Sequence, residues 1–266
     1  MSGASDPVLV DRIDEELMLI TLNRPDRLNA INDAFIQGMH AALDQVVAAP
    51  DVRAVVLTGT GRGFCAGADL KENVDLTQQR SAELYRGQQR LADMSVRLHE
   101  LPVPVVAAVP GPAVGGGFAL AAACDLRVAS TQAFFAAANV RIGVSGGEMG
   151  LSWMLPQALG RARATELLLT GRRLDAGEAY DWGFVNRLVE PGQGTVVDAA
   201  IELARTVAAN PAFGVALTKE MLRSTGTAAS LREAVLLENR TQVLAVFAGD
   251  IDRATVGFGD RDRPGA

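Results

Sequence analysis

The residues whose type and spacing could do chemistry are the glycines and small residues of two loops. One reads Gly61-Arg62-Gly63-Phe64-Cys65-Ala66-Gly67-Ala68-Asp69-Leu70, the other Pro110-Gly111-Pro112-Ala113-Val114-Gly115-Gly116-Gly117. Each follows an apolar run that reads as a buried strand, and the second leads into an apolar helix. Backbone N–H groups freed in such loops, one of them at a helix N-terminus, favour a negatively charged oxygen. Two loops can supply two convergent donors, which is what stabilising an oxyanion requires. The same glycines would also serve tight turns and close helix–strand packing, and spacing alone leaves both readings open.

Other chemistries find weaker support. Gly143-Val144-Ser145-Gly146-Gly147 fits G-x-S-x-G, the nucleophile elbow of α/β-hydrolases, but that fold places its histidine after the serine. His40 and His99 are the only histidines, and both precede Ser145. Cys65 lies between Phe64 and Ala66 with no local base, and Cys124 ends an Ala-Ala-Ala-Cys stretch, so both read as packed thiols. These scattered histidines and cysteines have no metal-ligand spacing. Neither a dinucleotide G-x-G-x-x-G in its strand–helix context nor a P-loop occurs. No metal and no separate cofactor are expected.

The elements that must hold the loops follow from periodicity. Val8-Leu9-Val10 and Leu17-Met18-Leu19-Ile20 flank Asp14-Glu15-Glu16 and read as a hairpin. Phe35, Met39, Leu43 and Val46 recur at helical spacing behind Asn32, a plausible N-cap. Ala54-Val55-Val56-Leu57 reads as a buried strand, residues 77–100 as a polar helix, 103–109 as a strand, and Leu126-Arg127-Val128 as another. A helix is expected from about Gly116. This alternation points to an α/β fold with largely parallel strands. After residue 195 only helical patterns remain, over 195–209, 211–223 and 230–247. The expected organisation is therefore a core over 1–195 and a helical lid or oligomer contact over 196–266.

Composition narrows the partners. The chain has 266 residues, 48% hydrophobic and 21% charged, which is ordinary for a globular protein. Its net charge of −6, from 25 basic and 31 acidic residues without a basic block, argues against nucleic acid. Met-Ser-Gly-Ala-Ser-Asp-Pro at the start has neither the basic end nor the apolar core of a secretory signal. With two cysteines and no visible signal, a reduced cytoplasm is the expected location. Residues 101–124 carry no charge and exceed the roughly 20 residues that span a bilayer. Pro102, Pro104, Pro110, Pro112 and the glycine triplet break that run, so it reads as strand, loop and buried helix rather than a membrane span.

Taken together, several motifs resemble the enoyl-CoA hydratase/isomerase (crotonase) superfamily. They are Asn23-Arg24-Pro25 with Leu28-Asn29-Ala30, Gly63 to Leu70, and Gly115-Gly116-Gly117 with Cys124-Asp125 behind. Leu155-Pro156 with Gly160, Leu169-Thr170-Gly171, and Ala179 with Gly183-Phe184-Val185 add to them. The resemblance runs in unbroken order over roughly residues 8–225. It implies a spiral of ββα units with a C-terminal helical trimerisation region, and a homotrimer or dimer of trimers. It implies an acyl-CoA thioester substrate whose enolate-like oxygen is held by two backbone N–H groups, matched here to Ala66 and Gly116. Ala68, Asp69 and Leu70 resemble the segment that reads the adenine of CoA. Arg27, Leu28 and Ala30 fall where the family contacts the CoA phosphates and pantetheine. Phe258 and Arg261 match a C-terminal CoA contact from a neighbouring subunit.

The departures from the pattern bear on the reaction. The resemblance places one hydratase glutamate two residues after the glycine triplet, where Ala119 stands, and a second where Asn139 stands. Hydration by two cooperating carboxylates cannot operate in that form. With a one-residue shift, Glu148 matches the position at which dienoyl-CoA isomerases and an aryl-CoA dehalogenase of the superfamily keep a catalytic aspartate. Among Gly147, Met149, Leu151 and Trp153, a lone carboxylate would be partly desolvated and suited to proton transfer. It could instead be an exposed residue favoured by a helix dipole. The expected function is enoyl-CoA hydratase/isomerase activity in fatty-acid or related acyl-CoA metabolism. The alternatives are a thioester or C–C bond hydrolase of the same fold, and a non-catalytic acyl-CoA binder.

Overall fold

A computed structural model describes residues 6–72, 81–226 and 228–248. In chain order, strands β1 (Val8–Arg12) and β2 (Leu17–Leu22) precede helix α1 (Asp33–Val47) and strand β3 (Ala54–Gly59). Helix α2 (Ser81–Glu100), strands β4 (Val105–Val109) and β5 (Ala113–Val114), and helix α3 (Gly116–Ala123) follow. Strands β6 (Leu126–Ser130) and β7 (Phe134–Ala136) then lead to helices α4 (Leu151–Leu159) and α5 (Arg161–Thr170). Strand β8 (Leu174–Asp175), helix α6 (Ala176–Asp181) and strand β9 (Arg187–Val189) complete the mixed part. Helices α7 (Val196–Ala208), α8 (Ala212–Thr225) and α9 (Leu231–Phe247) close the chain.

The larger sheet has the order β1-β2-β3-β4-β6-β9. Only β1 is antiparallel, paired to β2 from Val8↔Leu22 to Arg12↔Met18, as the expected hairpin requires. The Asp14 carboxylate closes its turn by accepting from the amides of Glu16 at 3.0 Å and Leu17 at 2.9 Å. The other neighbours are parallel. β3 and β4 are buried at every residue, which is why they read as unbroken apolar runs rather than alternating ones. α1 starts where its cap predicts, with the Asn32 side chain accepting from the Phe35 amide at 2.9 Å.

Both faces of this sheet are covered. Met18, Ile20, Val55, Leu57, Val105 and Ala107 point to one side, against Phe35, Met39 and Leu43 of α1 and the apolar helix α3. Leu17, Ala54, Val56, Val106, Ala108 and Val128 point to the other, against Val196, Ala200, Ala204 and Ala208 of α7. The alternation follows the two-residue period of a strand. The sequence pattern groups α7 with the C-terminal helices, but its packing groups it with the core, because without it the second face would lie bare. The helices beyond that layer are α8 and α9. Lys219 anchors α8 inward: its buried ammonium meets the Asp125 carboxylate at 2.7 Å and the Val103 carbonyl at 2.9 Å.

A smaller sheet, ordered β5-β7-β8, stands beside the first. Single bridges tie the first glycine loop to its surroundings, Cys65 to Ala113 and Ala68 to Ile31. Among the described residues no helix is long and apolar enough to cross a membrane. Residues 101–124 form β4, β5 and α3 with the loops between them, as the prolines and glycines predict.

Candidate active site

The site is built where the turn after β2, the loop after β3 and the start of α3 meet. Leu28 and Asn29 both adopt left-handed backbone, at φ +50° and +57°. Asn29 is fully buried. Its side-chain amide faces the carbonyls of Thr60 and Gly63 at 3.0 Å and of Phe64 at 3.1 Å, while its Oδ1 accepts from the Arg24 amide at 2.8 Å. One side chain therefore stitches the two loops together. Sequence motifs pass through Asn29, but nothing in its type alone marks it as the stitch. The fit is close: a Cβ on Gly59 would lie 2.3 Å from the Phe64 carbonyl oxygen.

The amides of the first loop divide into committed and free. The Ala66 N–H donates to the Leu28 carbonyl at 3.0 Å. This corrects the expectation that Ala66 is an oxyanion donor, since its proton is already spent on holding the loop. The Ile31 amide donates to the Gly67 carbonyl at 2.8 Å, and the Asp69 amide donates to the Ile31 carbonyl at 2.9 Å. In extended backbone successive peptides face opposite ways, so the Ala68 N–H turns away from Ile31. Among the described residues it has no hydrogen-bond partner.

The second amide comes from α3. Gly115, at φ +55°, donates its N–H to the Ala136 carbonyl at 2.9 Å and turns the chain into the helix. The Gly116 N–H opens the helix, where the first amides have no intrahelical acceptor. The loops touch backbone to backbone here. A Cβ on Gly67 would stand 3.4 Å from the Gly116 nitrogen, and one on Gly117 would stand 2.1 Å from the Cys65 carbonyl oxygen. The free amides of Ala68 and Gly116 thus belong to adjoining turns, and the glycines serve packing and donor exposure together.

Glu148 reaches this place from the turn before α4. Its amide contacts the Gly146 carbonyl at 3.2 Å and its carbonyl accepts from the Leu151 amide at 2.9 Å. Met149 follows at φ +48°, a conformation that costs an L side chain about 1–2 kcal/mol. The Glu148 carboxylate is half-buried and accepts a hydrogen bond from the Asn139 side-chain amide. Asn139 faces Gly115, where a Cβ would lie 2.7 Å from its Oδ1, and the Met149 sulfur would stand 3.0 Å from a Cβ on Gly116. Asn139 and Met149 therefore border the glycine triplet, and Glu148 joins that border through Asn139. Ala119 is fully buried, with no carboxylate to offer.

The residues expected to contact CoA form one rim, with Arg24 at its hub. Arg24 pairs with Asp69 at 3.0 Å and Glu72 at 2.7 Å, and also donates to the Ala30 carbonyl. Arg27 stands 3.9 Å from Asp69, and the Asn32 amide donates to Glu72 at 2.8 Å. Burial pushes the Asp69 carboxyl upward, but the Arg24 hydrogen bond, the amides of Lys71 and Glu72 and the Arg27 charge outweigh it and hold the group below its ordinary range. Asp69 and Ala30 are buried, whereas Arg27 and Leu28 are part-exposed and Leu70 is exposed. Phe258 and Arg261 lie outside the described residues.

The competing nucleophiles stay apart. The Ser145 hydroxyl accepts from the Gly147 amide at 3.2 Å, while His40 faces the Arg90 carbonyl and His99 packs edge-on against Trp153. Burial pushes the thiols of Cys65 and Cys124 up to about 12, so neither supplies a thiolate near neutral pH.

Residues 12–260 match the family model described as enoyl-CoA hydratase/isomerase. The chain is 42% identical over 262 residues to "Probable enoyl-CoA hydratase EchA12" of Mycobacterium tuberculosis, covering 97% of this chain and 91% of that one. It is 37% identical over 252 residues to the 1,2-epoxyphenylacetyl-CoA isomerase of Escherichia coli, covering 94% of each. Among solved structures, the enoyl-CoA hydratase of Bacillus anthracis superposes with a TM-score of 0.88 at 30% identity, covering 97% of this chain and 98% of that one.

Proposed function

Since this chain belongs to the enoyl-CoA hydratase/isomerase family, with its α/β crotonase fold, we propose that it isomerises an enoyl thioester with Glu148 as its single proton carrier. It is an acyl-CoA enzyme of that family. The thioester oxygen lies between the free amides of Ala68 and Gly116. Glu148 takes a proton from the carbon of the acyl chain that is acidified by the polarised carbonyl. The electron pair left behind delocalises onto the thioester oxygen, and the carboxyl, which exchanges its proton with solvent, delivers a proton to a different carbon of the dienolate. Asn139 holds the carboxylate through its side-chain amide and orients it.

The observation that carries this reading is the carboxylate count at the site. Glu148 is the carboxylate bonded to Asn139, which faces Gly115 of the triplet, while the other two expected positions hold a buried alanine and an amide. Hydration with one carboxylate holding the water and another activating it lacks its second group here, whereas moving one proton between two carbons uses only one. The rim of Arg27, Leu28, Ala30, Ala68, Asp69 and Leu70 receives the CoA moiety, with Arg27 toward its phosphates. No separate cofactor enters the reaction.

The assembly is a homotrimer or a pair of trimers. No residue of α9 is buried within its own chain, and Leu231, Leu236, Leu244 and Phe247 are exposed along it. Exposed apolar side chains in that number favour coverage by further copies. Light scattering should return three or six times the 28.0 kDa chain mass; a monomer at micromolar concentration would refute the assembly.

The reaction is tested by mass spectrometry of 2-enoyl, 3-enoyl and dienoyl thioesters incubated with the protein in deuterated water. Solvent-isotope exchange and double-bond movement without added water are the expected result. Gain of water would replace isomerase with hydratase, and release of free CoA would replace it with hydrolase. Esters that bind but return unlabelled would make the protein a binder.

A further inference from the structure

We propose that Ser95 is a positioning residue for the Glu148 carboxylate, holding from α2 the turn that aims it. The inference rests on Glu148 being the proton carrier. Ser95 is buried on the inner face of α2. Its hydroxyl donates to the Met149 carbonyl at 2.7 Å, across 54 residues of sequence. That oxygen belongs to the peptide immediately after Glu148-Met149, so fixing it fixes the orientation of the turn.

The turn needs such a restraint. Met149 sits at φ +48°, which L side chains rarely adopt and which persists only when the surroundings impose it. Gly150 follows at φ +89°, and its carbonyl accepts from the Trp153 and Met154 amides at 3.0 Å to start α4. The Met149 carbonyl points the other way, into the core, where Ser95 meets it. The Ser95 hydroxyl also lies 2.9 Å from the Ala92 carbonyl of its own helix, but it has one proton, and Met149 is the nearer acceptor. Removing that hydroxyl leaves a buried carbonyl without a donor, which the peptide can relieve only by rotating. Rotation would draw Glu148 off Asn139 and away from the glycine triplet. Ser95 touches none of the Arg24–Asp69–Glu72 rim, so CoA binding should not register its loss.

The experiment measures kcat, KM and local amide exchange on the full-length protein with an enoyl thioester, for Ser95→Ala and Ser95→Thr. Ser95→Ala should lower kcat about tenfold with KM within about twofold, as loss of one buried hydrogen bond's worth of positioning implies. Exchange at the Leu151 amide, which bonds the Glu148 carbonyl, should quicken while α2 stays protected. Ser95→Thr, which keeps the hydroxyl, should restore kcat to within about threefold of the parent. An unchanged kcat in Ser95→Ala, a KM that rises in step with the kcat loss, or a threonine variant no better than alanine would overturn the assignment. If Ser95→Ala fails to fold, Ser95→Cys carries the same comparison with a weak donor of similar volume. Lowered kcat at constant KM then supports the role, and parental kcat overturns it. Glu148→Gln run alongside separates the two claims. Full turnover there removes Glu148 as proton carrier, whereas its loss beside an unaffected Ser95→Ala removes only Ser95.

Discussion

Glu148→Gln should lose about 100–10,000-fold in turnover, the range typical of a general acid–base group, while acyl-CoA affinity stays within about twofold. Glutamine has nearly the shape of glutamate and still offers an oxygen to the Asn139 amide. The turn and its neighbours therefore keep their places, and what disappears is the ability to take and return a proton. The rim proposed to receive CoA lies on other segments, around Arg24, Asp69 and Glu72, so binding is not drawn into the change. Isotope exchange into the thioester reports the turnover, and calorimetric titration with a saturated acyl-CoA reports the affinity. Undiminished exchange would sink the assignment, and so would a matching loss of affinity.

Ala68→Pro should lower kcat about 100–1000-fold, the range for removing one oxyanion donor. The Ala68 N–H has no partner among the described residues, so proline takes away the proposed oxyanion donor without breaking a hydrogen bond of the fold. Gly116→Pro should act in the same range through the other amide. Its ring must also displace Met149 and Ile31, since a Cβ there would meet them at 3.0 and 2.8 Å. Ala66→Pro provides the contrast. It breaks the bond to the Leu28 carbonyl, so its main effect should be a lower Tm rather than a selective loss of kcat. Comparable kcat for Ala68→Pro and the parent, with Tm preserved, would show that this amide faces no developing charge.

The different standing of Ala66 and Ala68 illustrates what sequence can carry. Both lie in one glycine loop, two residues apart, and motif resemblance points to the first. Which amide is free depends on the Leu28 carbonyl, presented by a separate left-handed turn, and on the Gly67–Ile31–Asp69 pairing that turns Ala68 outward. No local pattern encodes either contact. Glu148 is a middle case. Its type and apolar neighbours mark it as a candidate, but the Asn139 amide that singles it out is contributed by a different turn. Arg24, Asn29 and Ser95 lie further from view. Each is an ordinary polar residue whose importance appears only when its partners arrive from other segments.

What the sequence by itself determined is the local layer and the order of parts. Helix and strand periodicities, the Asn32 cap, the unbroken apolar runs of β3 and β4, and the glycines before α3 are properties of neighbouring residues. Each is legible because its physical cause acts over a few positions. What only the tertiary structure decided is which groups remain unpaired. The free amides, the bond from Asn139 to Glu148, and α7 on the second face of the sheet all depend on contacts between segments that the sequence keeps apart. Burial and hydrogen-bond satisfaction are settled across the whole core at once, so a donor's availability is fixed only after every other segment has taken its place.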